Sequence, residues 1–192
     1  MRIYFDTGVF IDYLSARGYA FGLRASTRRG RVPAHIAADA ERLFEKVGPA
    51  HRGATSCLTY YEVEEALYRV LAQSGKGVSR TDAFLVPVAR SITTQLQMMV
   101  EVFNISVLDL TSATVRVQLQ QIDLQIRGIR AADALHAASA IGFDADLLVS
   151  TDDALLQLDG VLANTRGHKI VCRDTNLALQ HLSTLNSSGT SS

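Results

Sequence analysis

Short apolar runs alternate with longer amphipathic segments along the chain. The apolar runs are rich in residues that favour strands, and they lie at positions 2–6, 54–58, 105–110, 147–150 and 169–172. In the segments between them, apolar residues recur at the spacing of one helix face. Strands that alternate with helices predict a parallel sheet with helices on both faces. The pattern therefore predicts an α/β fold.

Several residues mark where helices begin and end. Pro33 suits the first turn of a helix, and Gly48-Pro49 is expected to close it. Thr111 is expected to cap another helix. The segment 17–31 is rich in Gly, Ser and Arg and is expected to form a loop. The expected helices cover residues 7–14, 33–47, 59–71, 79–103, 111–126, 131–141, 154–158 and 174–182.

Composition narrows the class of protein further. The chain has 192 residues, 47% of them apolar, which is enough for a core without a disulfide or a structural metal. Its 19 basic and 19 acidic side chains give zero net charge, which excludes a uniformly basic nucleic-acid binder. The two cysteines, Cys57 and Cys172, are expected to be free thiols.

The sequence predicts neither a membrane segment nor a secretion signal. No stretch approaches the ~20 consecutive apolar residues that span a bilayer. Asp6 interrupts the N-terminal segment where a signal peptide has uninterrupted apolar residues. We therefore expect a cytoplasmic protein without a membrane partner.

Four acidic residues lie where a parallel sheet would present them together. Asp6 ends the first expected strand, and Asp152 follows the fourth by two residues. Glu62 and Asp133 lie in the first turns of two expected helices. Since ligands of such sheets bind beyond the carboxyl ends of the strands, these side chains are candidates for one site. An all-oxygen site of this kind suits a hard cation such as Mg²⁺ or Mn²⁺.

Each acid taken alone also has a purely structural interpretation. Thr59 and Glu62 have the spacing of a capping box. Asp133 would be favoured by the helix dipole, and Asp152 could be the N-cap of the short helix after it. Asp6 is the hardest to explain in this way, because a charge at the end of a buried strand needs partners. It is the set of four that favours a site.

Four motifs around these acids resemble those of PIN-domain proteins, in the same order along the chain. The motifs read IYFDTGVFI at 3–11, TYYEV at 59–63, ADALHAASA at 132–140 and LVSTD at 148–152. The third motif is the most specific. Within the family, the chain is most similar to the VapC-like toxins of bacterial and archaeal toxin–antitoxin systems.

The resemblance implies a three-layer α/β/α sandwich with a mainly parallel sheet and a metal-dependent ribonuclease activity. The residues that match the family are the catalytic and metal-binding Asp6, Glu62, Asp133 and Asp152 and the supporting Thr7 and Ser150. The acids would hold Mg²⁺ or Mn²⁺, and the ion would activate a water for attack on an RNA phosphodiester.

The resemblance also implies partners and a domain organisation. The partners would be an RNA substrate, a cognate antitoxin protein and a second copy of the chain in a homodimer. The apolar stretch at 96–103 could supply the dimer surface, although core packing explains it equally well. Residues 1–184 are expected to form one PIN-like domain with insertions near 16–53 and 75–103, followed by a disordered tail at 185–192.

The chain departs from the family pattern at Gly8, where the family usually has Asn. An amide there could orient the first acid or a water on the metal. Gly8 therefore leaves open an alternative function, a catalytically impaired module that binds RNA or another protein. Asp153 adds an acid beside Asp152, but the spacing from Ser150 favours Asp152 as the fourth site residue.

The arginines at 17–31, His136 and Asp12 also have to be interpreted. Arginines crowd the expected loop at 17–31, where they could contact RNA phosphates, or form a solvated loop or a surface for an acidic partner. His136 follows Asp133 by three residues and could reach the site, but a hydrogen-bonded histidine at the edge of the core is favoured. Asp12 is expected to face solvent. The candidates for RNA contact are Arg24, Arg28, Arg29 and Arg31.

Overall fold

Five strands form one parallel sheet at the centre of the molecule. The computed structural model describes residues 1–16, 27–74 and 81–188, and within these ranges the strand order is β3-β2-β1-β4-β5. All neighbouring strands pair in parallel, which confirms the predicted α/β class. The strands are β1 (Arg2–Phe5), β2 (Arg52–Ser56), β3 (Ile105–Leu108), β4 (Leu147–Val149) and β5 (Val171–Arg173).

Nine helices lie along the described part of the chain. They are α1 (Thr7–Ala16), α2 (Pro33–Ala50), α3 (Leu58–Ser74), α4 (Thr81–Val102), α5 (Ser112–Gln120), α6 (Ile122–Ile126), α7 (Ala131–Gly142), α8 (Asp153–Leu156) and α9 (Thr175–Ser188). The helix expected at 111–126 is divided at Gln121 into α5 and α6. The last helix continues to Ser188, into the segment expected to be a disordered tail. Residues 189–192 lie outside the described residues.

The central strand β1 contributes to two separate cores because its side chains alternate between the faces of the sheet. Ile3 and Phe5 belong to the core formed with α1, α2, α3, α4 and α9, whereas Tyr4 belongs to the core formed with α6, α7 and α8. All three side chains are fully buried. Helices cover both faces of the sheet, so the expected three-layer α/β/α sandwich is confirmed.

The two segments expected as insertions carry helices that pack on the sheet. Phe44 of α2 is fully buried and contacts the ring of Phe5, with 4.9 Å between the ring centroids. From α4, Leu96 and Met99 lie in the same core, whereas 59% of Met98 is exposed. Core packing therefore accounts for much of the apolar stretch that also suggested a dimer surface.

Both cysteines are free thiols, as the sequence predicts. Cys172 is buried in β5, and Cys57 is half-buried directly after β2. Burial raises the pKa of the Cys172 thiol to about 12, so this sulfur stays protonated and unreactive near neutral pH. Within the described ranges, no helix has the length and apolar character needed to cross a membrane.

The direction in which strands are added reverses between β1 and β4. From β1 the chain continues to β2 and β3 on one side, and it then crosses to β4 and β5 on the other side. In parallel sheets, this reversal opens a crevice at the carboxyl ends of the two strands, where ligands bind. Asp6 lies at this point, because its backbone N–H donates a hydrogen bond to the Val149 carbonyl of β4 at 2.9 Å.

Candidate metal centre

Asp6 follows β1 directly and is held by hydrogen bonds to both of its carboxylate oxygens. Only 6% of the residue is exposed. Oδ1 accepts a hydrogen bond from the Thr7 N–H, and Oδ2 accepts one from Ser150 Oγ, each at 2.7 Å. These donors fix the carboxylate in one orientation. Each oxygen has a further lone pair, so the group can still bind another partner.

Glu62 reaches the same place from α3. Its carboxylate accepts a hydrogen bond from Thr7 Oγ1 and lies 2.8 Å from Nε2 of His136. Burial alone would raise the pKa of Glu62, but the hydrogen bond and charge of His136, together with Thr7, lower it below the ordinary value. Thr59 Oγ1 instead pairs with Thr55 Oγ1 at 2.7 Å. The carboxylate of Glu62 is therefore part of the site and not of a capping box.

His136 connects the two carboxylates to Tyr4. Its fully buried ring places Nε2 at 2.8 Å from Glu62 Oε2 and 3.7 Å from Asp6 Oδ1, and Nδ1 lies 2.8 Å from Tyr4 Oη. Burial lowers the pKa of His136, but the hydrogen bond to Glu62 and the charges of Asp6, Glu62 and Asp133 raise it above the ordinary value. His136 is thus hydrogen-bonded, as favoured from the sequence, and it also lies inside the acidic site. Tyr4 is not among the site residues predicted from the sequence, although strand alternation places it on the face that α7 covers.

Asp133 lies one helical turn before His136 and adds negative charge to the site. The residue is half-buried in the first turn of α7. Burial is the main cause of a pKa raised to about 6, and the charges of Asp152, Asp6 and Glu62 contribute. Carboxylates that influence one another in this way cannot all ionise without cost, and a bound cation would remove that cost.

Ser150 joins the first and fourth acidic motifs. Its hydroxyl donates to Asp6 and accepts a hydrogen bond from the Asp152 N–H at 3.0 Å. Asp152 is exposed, and its Oδ1 caps α8 by accepting a hydrogen bond from the Ala154 N–H at 2.6 Å. The structural role foreseen for Asp152 is therefore present. Its charge nevertheless acts on Asp133.

Three of these side chains offer ligand atoms close enough together for one metal ion. Among the described residues, ligand atoms of Asp6, Glu62 and His136 all lie within 4.8 Å of one another. Asp133 and Asp152 are outside this close set; the charge of Asp133 acts on His136, and that of Asp152 acts on Asp133. Two carboxylates with an imidazole, in surroundings of excess negative charge, fit a divalent cation by their donor chemistry.

Gly8 leaves a space that Thr151 fills. A Cβ atom placed on Gly8 would lie 1.9 Å from Thr151 Oγ1 and 3.0 Å from Thr151 Cβ. Real Cβ atoms do not approach other heavy atoms this closely. In this arrangement, the Asn that the family usually has at position 8 does not fit beside Thr151. The two positions are therefore coupled by sterics.

Residues 28–31 form a tight turn, which we call the arginine turn, beside the loop that follows β4. Arg29 forms ion pairs with Asp153 and with Asp174, the second at 2.8 Å. Its guanidinium also donates to the Thr151 carbonyl at 3.2 Å. The Asp153 carboxylate is thereby engaged with the arginine turn.

The other described arginines of this stretch are also paired within the protein. Arg28 donates two hydrogen bonds to the Asp12 carboxylate, one of them at 2.9 Å. Arg31 forms an ion pair with Asp39. Contact between these arginines and RNA phosphates stays a prediction. Arg24 lies outside the described residues.

The expectation that Asp12 faces solvent is wrong. Only 2% of the residue is exposed. Burial raises the pKa of Asp12, and the hydrogen bonds and charge of Arg28 oppose this rise. The partner lies 16 positions further along the chain. Helical spacing within α1 therefore contains no sign of the ion pair.

At the level of sequence, the chain has little similarity to known proteins. No protein-family model matches it, and no curated protein matches it. Among solved structures, it is similar to a crystal structure of VapBC2 from Rickettsia felis bound to a DNA fragment from the promoter. That match covers 91% of this chain and 98% of the other, with 13% sequence identity and a TM-score of 0.48. At this level, the similarity establishes neither a family nor a function.

Proposed function

We propose that this protein is a metal-dependent endoribonuclease and the toxin of a toxin–antitoxin pair. The observation that carries the proposal is the convergence of Asp6 and Glu62 on His136 where the strand order reverses. Asp133 lies beside them with a pKa raised to about 6. Such a concentration of carboxylates would repel a phosphodiester unless a cation were bound. A metal site for phosphodiester hydrolysis accounts for the arrangement.

The proposed roles follow from the contacts of each side chain. Asp6 and Glu62 would hold Mg²⁺ or Mn²⁺, with Asp133 and Asp152 as the further acids of the site. Once bound, such an ion lowers the pKa of a water ligand and neutralises charge on a phosphate. Ser150 orients Asp6 through the bond to Oδ2, and Thr7 orients Glu62. Asp133, with its pKa near 6, can accept a proton close to neutral pH.

The narrower parts of the proposal rest on the resemblance of the four acidic motifs to PIN-domain proteins. That resemblance supports RNA as the substrate, a cognate antitoxin as the partner and a homodimer as the assembly. The arginines at 24, 28, 29 and 31 are proposed to contact RNA. For Arg28, Arg29 and Arg31, this requires some exchange of their present acidic partners for phosphates.

The test is cleavage of a varied set of RNAs by the purified protein with Mn²⁺, with and without EDTA. We expect cleavage that EDTA abolishes. We also expect Asp6→Asn and Asp133→Asn to reduce the rate by about a hundredfold or more, because metal stabilisation of the transition state contributes several kcal/mol. Asp109→Asn is the matched control, since Asp109 is an exposed acid that follows β3 at the same edge of the sheet. Absence of cleavage by the wild type, or full activity of both site variants, would overturn the proposal.

The alternative function is a binding module without catalysis. The contact of Thr151 with Gly8 favours this alternative, because the side-chain amide of an Asn at position 8 does not fit in this arrangement. The same preparations distinguish the two functions. RNA binding by a double Asp6→Asn, Asp133→Asn variant at wild-type affinity, together with an inactive wild type, would support the module. A cleaving wild type would exclude it.

A further inference from the structure

His136 has the position of a metal ligand as well as that of a hydrogen-bond partner. We propose that its Nε2 atom binds directly to the ion held by Asp6 and Glu62, and that the site therefore prefers a first-row transition ion such as Mn²⁺ over Mg²⁺. The proposal rests on the metal-dependent function proposed above and specifies its donor set. The acidic motifs alone supply only oxygen donors to the site, and the proposal adds a nitrogen ligand.

The spacing of the three ligand atoms supports this assignment. Neighbouring ligands of an octahedral ion, each about 2.1 Å from the metal, are separated by about 3 Å, and opposite ligands by about 4.2 Å. Nε2 of His136 lies 2.8 Å from Glu62 Oε2 and 3.7 Å from Asp6 Oδ1. Both distances are close to this interval. With all three ligand atoms within 4.8 Å of one another, one ion could contact them after movements of the side chains.

Tyr4 contacts the ring nitrogen of His136 that faces away from the carboxylates, with 2.8 Å between Tyr4 Oη and Nδ1. The hydroxyls of Ser56 and Ser139 act on Tyr4, and both are buried without a hydrogen-bond partner among the described residues. Tyr4 can donate its proton to one of these hydroxyls while it accepts the Nδ1–H of His136. A bound ion would take the place of the proton between Nε2 and Glu62, and the Nδ1–H bond to Tyr4 would keep the ring in its orientation.

Donor chemistry gives the preference among metals. Mg²⁺ binds oxygen donors and keeps most of its waters, whereas imidazole is a good ligand for first-row transition ions. One buried imidazole among the three close donors adds little to the affinity of the site for Mg²⁺. The same imidazole adds substantially to the affinity for Mn²⁺. The difference between the affinities for Mn²⁺ and Mg²⁺ should therefore depend on His136.

The experiment measures metal binding on the untagged full-length protein, so that no other histidine cluster contributes nitrogen. Mn²⁺ affinity is determined from the EPR signal of the unbound ion, and Mg²⁺ affinity by competition against Mn²⁺. Pulsed EPR of the bound Mn²⁺ reports whether a nitrogen atom is directly coordinated. The variants are His136→Gln and Asp6→Asn, with His35→Gln, an exposed histidine of α2, as the matched control.

We expect nitrogen coupling in the wild type and in the His35→Gln control. In His136→Gln we expect no coupling, Mn²⁺ affinity reduced about tenfold or more, and a Mn²⁺ to Mg²⁺ preference reduced by a similar factor. Asp6→Asn should also weaken Mn²⁺ binding. Bound Mn²⁺ without nitrogen coupling in the wild type would overturn the proposal, and this measurement does not depend on whether His136→Gln folds. Unchanged affinity in a folded His136→Gln variant, or in Asp6→Asn, would overturn it as well.

The outcomes separate this proposal from the ribonuclease function. Nitrogen-coordinated Mn²⁺ in a protein that cleaves no RNA would leave the ligand assignment standing and remove the proposed activity. RNA cleavage with Mn²⁺ that lacks nitrogen coupling would support the proposed activity and remove the ligand assignment. His136 would then be a positively charged hydrogen-bond partner of Glu62 and no ligand.

Discussion

At the scale of single residues, hydroxyl groups give the acidic site its order. Ser150 Oγ donates to one carboxylate and accepts from the backbone beside another. Thr7 contributes its N–H to Asp6 and its hydroxyl to Glu62. Neither hydroxyl carries charge, yet together they fix two carboxylates that would otherwise turn away from each other. The two hydroxyls therefore help to orient the carboxylates that would hold an ion.

The contact between Gly8 and Thr151 predicts a compensating pair of substitutions. Gly8→Ala places a Cβ atom against Thr151 Oγ1, and we expect the free energy of unfolding to fall by about 1–3 kcal/mol. In a Thr151→Ala background, the same change should cost clearly less, because Oγ1 and Cγ2 are removed and only the Cβ of residue 151 remains, at 3.0 Å. Urea unfolding of the four proteins measures both effects. Equal effects of Gly8→Ala in the two backgrounds would contradict the steric coupling.

The raised pKa of Asp133 predicts a dependence of stability on pH. In the unfolded chain this group titrates near 3.8, and in the folded protein near 6. Between these values the folded protein binds more protons than the unfolded chain, so the free energy of unfolding falls as pH rises through this window. The Asp133→Asn variant lacks this titrating group, so its free energy of unfolding should fall less steeply as the pH rises.

Unfolding by urea between about pH 4 and about pH 7, with EDTA present, measures this difference. Asp109→Asn is the control, and it should follow the wild-type profile. Superimposable profiles of Asp133→Asn and the wild type would show that Asp133 does not titrate in the folded protein as described.

At the scale of secondary-structure elements, the arginine turn is held by its ion pairs. Arg28 pairs with an aspartate of α1, Arg31 with one of α2, and Arg29 with acids beside β4 and β5. The turn therefore connects elements from both ends of the chain. Since its charges are matched by acids of the protein itself, we infer that the turn has a structural role whether or not it also contacts RNA.

Loss of the Arg28 ion pair should be strongly destabilising. Arg28→Ala leaves the Asp12 carboxylate buried without its partner, and removal of one member of such a pair costs about 3 kcal/mol or more. Arg42→Ala removes an arginine whose side chain is 70% exposed, and should change the free energy of unfolding by about 0.5 kcal/mol or less.

Thermal or urea unfolding of these variants provides the measurement. Addition of Asp12→Asn to Arg28→Ala should recover part of the lost stability, because the unpaired charge is removed. Equal stability of Arg28→Ala and Arg42→Ala would mean that the buried pair does not hold the turn.

Elements that bury one regular face could be predicted from the sequence, and irregular features could not. The apolar positions of α2 that follow helical spacing in the sequence are buried, as expected; they are Ile36, Ala40, Leu43, Phe44 and Val47. The break at Gln121 has no glycine or proline to mark it. For the site, the order of the elements and the position of the strand ends were enough to predict that Asp6 and Glu62 lie close together. The spacing of three residues from Asp133 indicated that His136 could reach the site, but its contact with Glu62 depends on how α7 is rotated against β1.

At the scale of the whole molecule, the candidate centre joins parts of the chain that are distant in sequence. Asp6 precedes α1, Glu62 lies on α3, His136 on α7, and Ser150 follows β4. A ligand that binds all of these at once stabilises the complete fold and not one element. Stability should therefore respond to metal ions as a property of the entire domain.

Mn²⁺ should raise the melting temperature of the protein. At a hundred times the dissociation constant, binding adds about 2.7 kcal/mol, which corresponds to roughly 5–10 °C for a chain of this size. Differential scanning calorimetry with increasing Mn²⁺, and then with excess EDTA, should show the shift and its reversal. Asp6→Asn should lose most of the shift and Asp109→Asn should keep it. A shift of the same size in Asp6→Asn would place the bound ions elsewhere.

The position of β1 at the centre of the sheet has a consequence for protein synthesis. Of the five strands, β1 is synthesised before its two neighbours, and one of these, β4, begins only at Leu147. Until then, Asp6 has neither the Val149 carbonyl nor the Ser150 hydroxyl that hold it. A fragment released by premature termination can contain Asp6 and Glu62 without the strand that orients them. We therefore expect the proposed cleavage activity only in chains translated past β4.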